Sequence, residues 1–344
     1  LGSAAATLPT GFMLDNYSRR WVTAAGPLLT ALSCLLVTTA NTFTELIMFQ
    51  FLAGWGYQMW MLGRLTMLGD LASDGQLGRQ ITAMIGMESA GRLLGPAIGG
   101  FIVASWGPKA PFALQGSFCI LVALIVLRAT RGVRMRRKSA GSSEPVPGYL
   151  KMVLTPPLSK LALVQVLMAL TRGSLFSGVI DLYMVYFYGM GPKALGLLRT
   201  VTGMLSLPFA FAAGHIMDRF GRKATLVPGF AAISVSFLLM ALVAATSLPL
   251  PWFVATFILL HMSTNLTAGS MQTLAIDVAP VAWRGRFLGT LRFGSECGSF
   301  VSSSGFALAA TALGYPWAFV LLSVVGASVA ITVAKTITET LRKN

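Results

Sequence analysis

Two acids lie inside long apolar runs, and each has an arginine four residues away: Glu88 with Arg92, and Glu296 with Arg292. Residues four apart share a helical face and can form an ion pair. Two kinds of chemistry are open to such a pair. The charges can neutralise each other so that both tolerate burial. Alternatively, the carboxylate takes up and returns a proton, with burial and the arginine pulling its titration in opposite directions. Arg172 falls near the middle of another apolar run, and Asp181 lies nearer that run's end. Arg172 either binds an anion or pairs with an acid on a neighbouring segment. His261 and Asn265 share a face and can hydrogen-bond a substrate or a second helix. Trp55 and Gln58 stand beside Tyr57 and Trp60 and are candidates to line a cavity.

The elements that must hold these residues follow from composition. The chain of 344 residues is 55% hydrophobic and only 11% charged, against about 25% charged in soluble domains. Its mean hydropathy is +0.73. Apolar runs recur along its length, each near the ~20 residues that cross a bilayer. They are continuous rather than alternating, which excludes a β-barrel in favour of a bundle of helices. An ionisable group inside such a bundle is a functional candidate by default.

Hydropathy predicts the tail of a helix to about residue 14, then helices near 21–40, 45–70, 80–104 and 111–128. A basic, Ser- and Pro-rich linker follows at 131–157. Six further helices are predicted near 160–188, 194–217, 223–245, 251–278, 286–312 and 315–335. The net charge of +15 collects in alternate loops, as membrane topology demands. It therefore reports orientation and not a nucleic-acid partner. On that rule the linker and the C-terminus are cytosolic. Arg64 is expected toward the cytosolic side, reaching for the interface. Tyr183, Tyr186 and Tyr188 are expected in an interfacial aromatic belt. Cys34, Cys119 and Cys297 have no metal or disulfide spacing. No phosphate-binding loop G-x-x-x-x-G-K-[ST] occurs, so neither ATP nor another cofactor is implied.

One charged pattern occurs twice between apolar runs. Gly11, Asp15, Arg19 and Arg20 recur as Gly214, Asp218, Arg222 and Lys223, with Arg219 and Gly221 added in the second copy. The correspondence continues. Asp70 matches Asp277, Gly78-Arg79 matches Gly285-Arg286, and Gly86-Met87-Glu88 matches Gly294-Ser295-Glu296. A duplicated membrane unit is a common plan for secondary transporters. The repeat divides the chain into a first half (1–130), the linker (131–157) and a second half (158–344). The second half runs from about residue 160 to Gly214 before its motif, but only ten residues precede Gly11. The repeat thus predicts a twelve-helix protein from which the first helix and most of the second are missing.

With these motifs in view, the whole chain resembles the major facilitator superfamily. The paired loop pattern is similar to that family's signature after its second and eighth helices. The second copy fits in full; the first has Asn16 for a basic residue and Ser18 for a glycine. Gly91, Gly95, Pro96, Gly99 and Gly100 resemble the motif of the family's proton-coupled antiporters, drug exporters among them. Glycines spaced by four permit close helix approach, and Pro96 removes a backbone donor and bends its helix, so the stretch can be a hinge or seal. Ser299 to Ala307, its counterpart, lacks the motif. Gln50 stands where family antiporters carry an arginine implicated in proton transfer.

The resemblance implies an all-α integral membrane protein of two six-helix bundles, monomeric, multi-pass in the cell membrane and not an enzyme. Its partners would be the lipid bilayer, a small-molecule substrate and protons. The leading expectation is export of a small molecule by proton antiport and alternating access. Glu88, Glu296, Arg92 and Arg292 are the coupling candidates. Arg172, Asp181, Trp55, Gln58, His261 and Asn265 are the substrate candidates, and the loop residues with Asp70 and Asp277 the gate. The alternatives are proton symport or facilitated uptake of an organic anion, or a scaffold that has lost transport.

Overall fold

The computed structural model describes residues 2–71, 77–131, 158–267, 269–271, 274–275 and 284–336. Every regular element among them is a helix. In chain order they are α1 (Gly2–Asn16), α2 (Arg19–Thr39), α3 (Phe43–Leu71), α4 (Leu77–Trp106) and α5 (Ala110–Ala129), then α6 (Leu158–Phe176), α7 (Val179–Tyr188), α8 (Pro192–Phe220), α9 (Lys223–Ala245), α10 (Leu250–Leu266), α11 (Arg284–Ala312) and α12 (Tyr315–Thr336). Among the described residues, six apolar spans are long enough to cross a membrane: Arg19–Thr39, Ala110–Ala129, Leu158–Tyr188, Pro192–Met217, Lys223–Ala245 and Tyr315–Thr336. The linker lies outside the described residues, as does Asp277. The side chains of Asp15, Asp70, Arg79, Asp218, Arg284 and Arg286 also lie outside them.

Two of the expected helices are interrupted, both at a glycine with positive φ. The predicted span 160–188 divides into α6 and α7 at Gly178, whose φ of +80° suits a residue without Cβ. The predicted span 251–278 ends as α10 at Leu266, just before Gly269 with φ +76°.

The chain forms two compact units. Unit 1 is Leu1–Ser143 with Gly191–Thr200, and unit 2 is Glu144–Met190 with Val201–Asn344. The opening turns of α8 therefore belong with unit 1. In unit 1, α2 packs along α3 and α5, and α1 along α3. Leu14, Val22 and Met59 meet there, with Trp55 and Leu62 packed against them. By contrast, α4 packs sparsely on α3 and α5 among the described residues.

In unit 2, α9 lies along α12 and α10, and α6 along α11 and α12. The α6–α11 seam is tight because Gly173 lacks a side chain: a Cβ there would lie 2.6 Å from Ser299 Cα. Tyr183 is no interfacial residue; it is 2% exposed and packs against Phe253 (4.9 Å between ring centroids) and Tyr315 (4.7 Å). Tyr186, on the other side of α7, is exposed. Helical periodicity separates the two rings, which proximity in sequence had grouped together.

Candidate functional site

Glu88 is the centre of the best-formed charge cluster. It projects from α4, and its Oε1 accepts from Arg92 one turn along at 2.5 Å. Its Oε2 accepts from Arg64 of α3 at 2.6 Å. The Arg64 side chain is only 19% exposed, so it bridges two helices instead of reaching outward as its position had led us to expect. The clue lay in topology: α3 and α4 are consecutive and antiparallel, and Arg64 and Glu88 both lie two to three turns from their shared loop. The second guanidinium leaves the cluster with one more positive than negative charge. The Arg64 Nε–H is buried with no acceptor among the described residues.

The repeat-related pair is built differently. Arg292 donates to Glu296 at 2.7 Å on α11. Here the base precedes the acid, the less favourable order on a helix. Beside it Gln165 of α6 donates to the Ser295 hydroxyl. The adjoining seam is hydroxyl-bonded throughout: the Ser174 N–H donates to Ser302 Oγ (3.0 Å) and Ser174 Oγ to the Ser302 carbonyl (3.0 Å).

Arg172 turns toward its own unit. Its guanidinium donates to Thr267 Oγ1 and stands 5.3 Å from the centroid of the Phe230 ring. No ion pair holds it among the described residues, and its Nε–H lacks an acceptor. Asp181 sits in the first turn of α7, where the helix dipole favours a carboxylate. His261 and Asn265 engage their own helix, His261 Nδ1 lying 3.0 Å from the Phe257 carbonyl oxygen and Asn265 Nδ2 donating to that of His261 (3.1 Å). Trp55 packs into the unit 1 core. Gln58 is fully buried, and among the described residues neither its amide oxygen nor its nitrogen has a partner. The same is true of the hydroxyls of Thr10 and Thr23.

The loop motifs show a twofold relation that the sequence had not revealed. Arg20, opening α2, donates to the Leu127 carbonyl near the end of α5 at 2.6 Å. Lys223, opening α9, donates to the Ala334 carbonyl near the end of α12 at 2.8 Å. Each base meets terminal carbonyls, where the helix dipole favours positive charge. Arg222 adds a longer bond to the Met217 carbonyl (3.4 Å), Arg219 lies over Phe220, and Gly221 makes the turn with φ +93°. Arg19 lies in the first turn of α2, while Gly11 and Gly214 lie within α1 and α8. In α4, the close approach expected along the glycines is confined to Gly100. A Cβ there would lie 2.5 Å from the Pro192 carbonyl oxygen, whereas Gly91, Gly95 and Gly99 face open space.

Comparison with known proteins agrees with this architecture. The chain is 25% identical over 326 residues to the tetracycline resistance protein, class G, of Vibrio anguillarum, covering 89% of this chain and 77% of that one. It is 23% identical over 215 residues to the quinolone resistance protein NorA of Staphylococcus aureus, covering 61% of this chain and 53% of the relative. The chain thus spans about three quarters of the first relative and about half of the second. The crystal structure of a D-xylose-proton symporter superposes with a TM-score of 0.76 at 15% identity, covering 98% of this chain and 85% of that one. This last likeness shows the fold. A profile of the Major Facilitator Superfamily, a family of transporters and not of enzymes, matches residues 1–172 and 161–344. Helices, repeat and profile together place the chain in the Major Facilitator Superfamily.

Proposed function

We propose that this protein exports a small molecule across the cell membrane in exchange for protons. The observation that carries the reading is Glu88, held by Arg64 of α3 and Arg92 of α4. While ionised, Glu88 ties the two helices together. A proton on Glu88 removes the negative charge both guanidiniums bind, so α4 is released from α3. A group whose protonation changes helix packing is what coupling requires, since a proton can shift a conformational equilibrium only by binding one state better than the other. The two relatives are named for resistance to tetracycline and to quinolones, and outward transport is one way a membrane protein confers resistance. On the same reading the linker and C-terminus face the cytosol and the protein acts as a monomer.

A second reading, uptake of an organic anion, draws on the guanidinium surplus around Glu88 and on Arg172, which has no ion pair among the described residues. The two readings separate in everted vesicles loaded with a pH-sensitive dye and given a proton gradient. Proton release on adding a lipophilic cation such as ethidium, or a quinolone, supports antiport. Proton movement with organic anions only, in the same direction as the anion, supports the second reading. Silence toward every probe by folded protein would overturn both and point to the scaffold alternative.

A further inference from the structure

Beside Pro96 of α4, a side chain from α8 enters the backbone ladder. Proline has no N–H, so the Arg92 carbonyl loses its partner four residues on. One rung further, the Thr200 hydroxyl engages both ends of the next pair. It accepts from the Ala97 N–H at 3.1 Å and donates to the Leu93 carbonyl at 2.9 Å. A hydroxyl has one hydrogen to give and lone pairs to receive, and Thr200 uses both kinds while only 6% exposed. Insertion of a side chain into the ladder is a recognised cause of sharp helix bends.

The surroundings hold the hydroxyl in place. The backbones of α4 and the opening turns of α8 touch at Gly100 and Pro192, and again where a Cβ on Gly196 would meet the Pro96 carbonyl oxygen. Farther out, the Lys193 ammonium lies 4.6 Å from the centroid of the Phe101 ring. The C-terminal limb of α4 is thus fixed at three levels by residues of unit 1. Its N-terminal limb carries Glu88 and Arg92, which the Arg64 ion pair ties to α3.

We propose that α4 bends at Pro96 and that Thr200 is a positioning residue: its hydroxyl sets this bend and thereby the placement of Glu88 and Arg92 relative to Arg64. The consequence for coupling rests on the reading of Glu88 given above; the bend itself does not. Thr200→Val keeps the shape and removes the hydroxyl, Thr200→Ser keeps the hydroxyl, and Thr200→Ala is a smaller control that cannot overpack. Nitroxide labels at Met87 on the N-terminal limb and Leu32 on α2, both exposed, report the bend by electron–electron distance measurement in the full protein. A bend of 20° at Ala97 carried over ten residues moves Met87 by about 5 Å. We expect a shift of that size, or a second distance population, for Val and Ala, and the parental distance for Ser. Parental distances in all three variants would overturn the proposal. The companion measurement is the pH profile of probe-induced proton release, displaced by Val and restored by Ser. A changed distance with an unmoved profile would keep Thr200 as the determinant of the bend and overturn its link to Glu88.

Discussion

Helices α4 and α11 occupy equivalent places in the repeat, yet they are held in opposite ways. Unit 2 fixes α11 along α6 through a glycine crossing at Gly173 and a chain of serine hydroxyls, Ser174 with Ser302 and Ser303 with the Gly173 carbonyl. In unit 1, α4 is bridged to α3 by the Arg64–Glu88 ion pair and contains Pro96 in its middle. A glycine seam is rigid because neither backbone can yield. An ion pair is conditional, since it lasts only while the acid is charged. On the proposed function, the repeat holds two similar helices, of which one is a fixed strut and the other an arm whose attachment depends on protonation.

The contrast can be strained from both sides. The largest expected effect is at the crossing. Gly173→Leu would drive a side chain into the Ser299 backbone and should cost about 3 kcal/mol, read as a lost or much lowered thermal midpoint in detergent. Gly95→Leu, facing open space, should leave that midpoint nearly unchanged. Equal losses would erase the distinction. Next comes Arg64→Met, which removes a charged hydrogen bond worth about 1.5 kcal/mol or more and should lower proton-coupled flux by about tenfold. Arg292→Met on α11 should have a clearly smaller effect in the same flux assay.

The smallest effects concern buried hydroxyls. Thr23 in unit 1 has a hydroxyl with no partner among the described residues, so Thr23→Val should stabilise by about 1 kcal/mol. In unit 2, Ser234 and Ser323 each donate to the other's carbonyl at 2.8 Å. Ser234→Ala should destabilise by about 0.6 kcal/mol, the average scale for hydrogen bonds between membrane helices. Both changes are readable from thermal midpoints, and matching signs would argue against the difference between the units.

Much of this was legible before any coordinates. Long apolar runs fix helices in a bilayer regardless of tertiary detail, so helix positions and the repeat could be read directly. Pairs within one helix, Glu88 with Arg92 and Arg292 with Glu296, followed from spacing alone. What escaped were contacts between helices. Arg64 reaches Glu88 across two elements, and Thr200 meets Ala97 across a hundred residues of sequence; no local period encodes either. Glycine spacing misled in the same way. It shows where a helix can be approached, and only packing shows that Gly100 is approached while Gly91, Gly95 and Gly99 are not. Two helix ends were missed because the break falls at one glycine with positive φ, Gly178 or Gly269, inside a run that is apolar on both sides.

The most direct test compares Glu88→Gln with Glu296→Gln in everted vesicles, measuring proton release on adding whichever probe the parent protein answers. If unit 1 carries the coupling, Glu88→Gln abolishes release, a loss of about a hundredfold or more for a removed proton-transfer group, and still exchanges probe without a gradient. Glu296→Gln then retains release. Equal losses in the two variants, or full release from Glu88→Gln, would contradict the account.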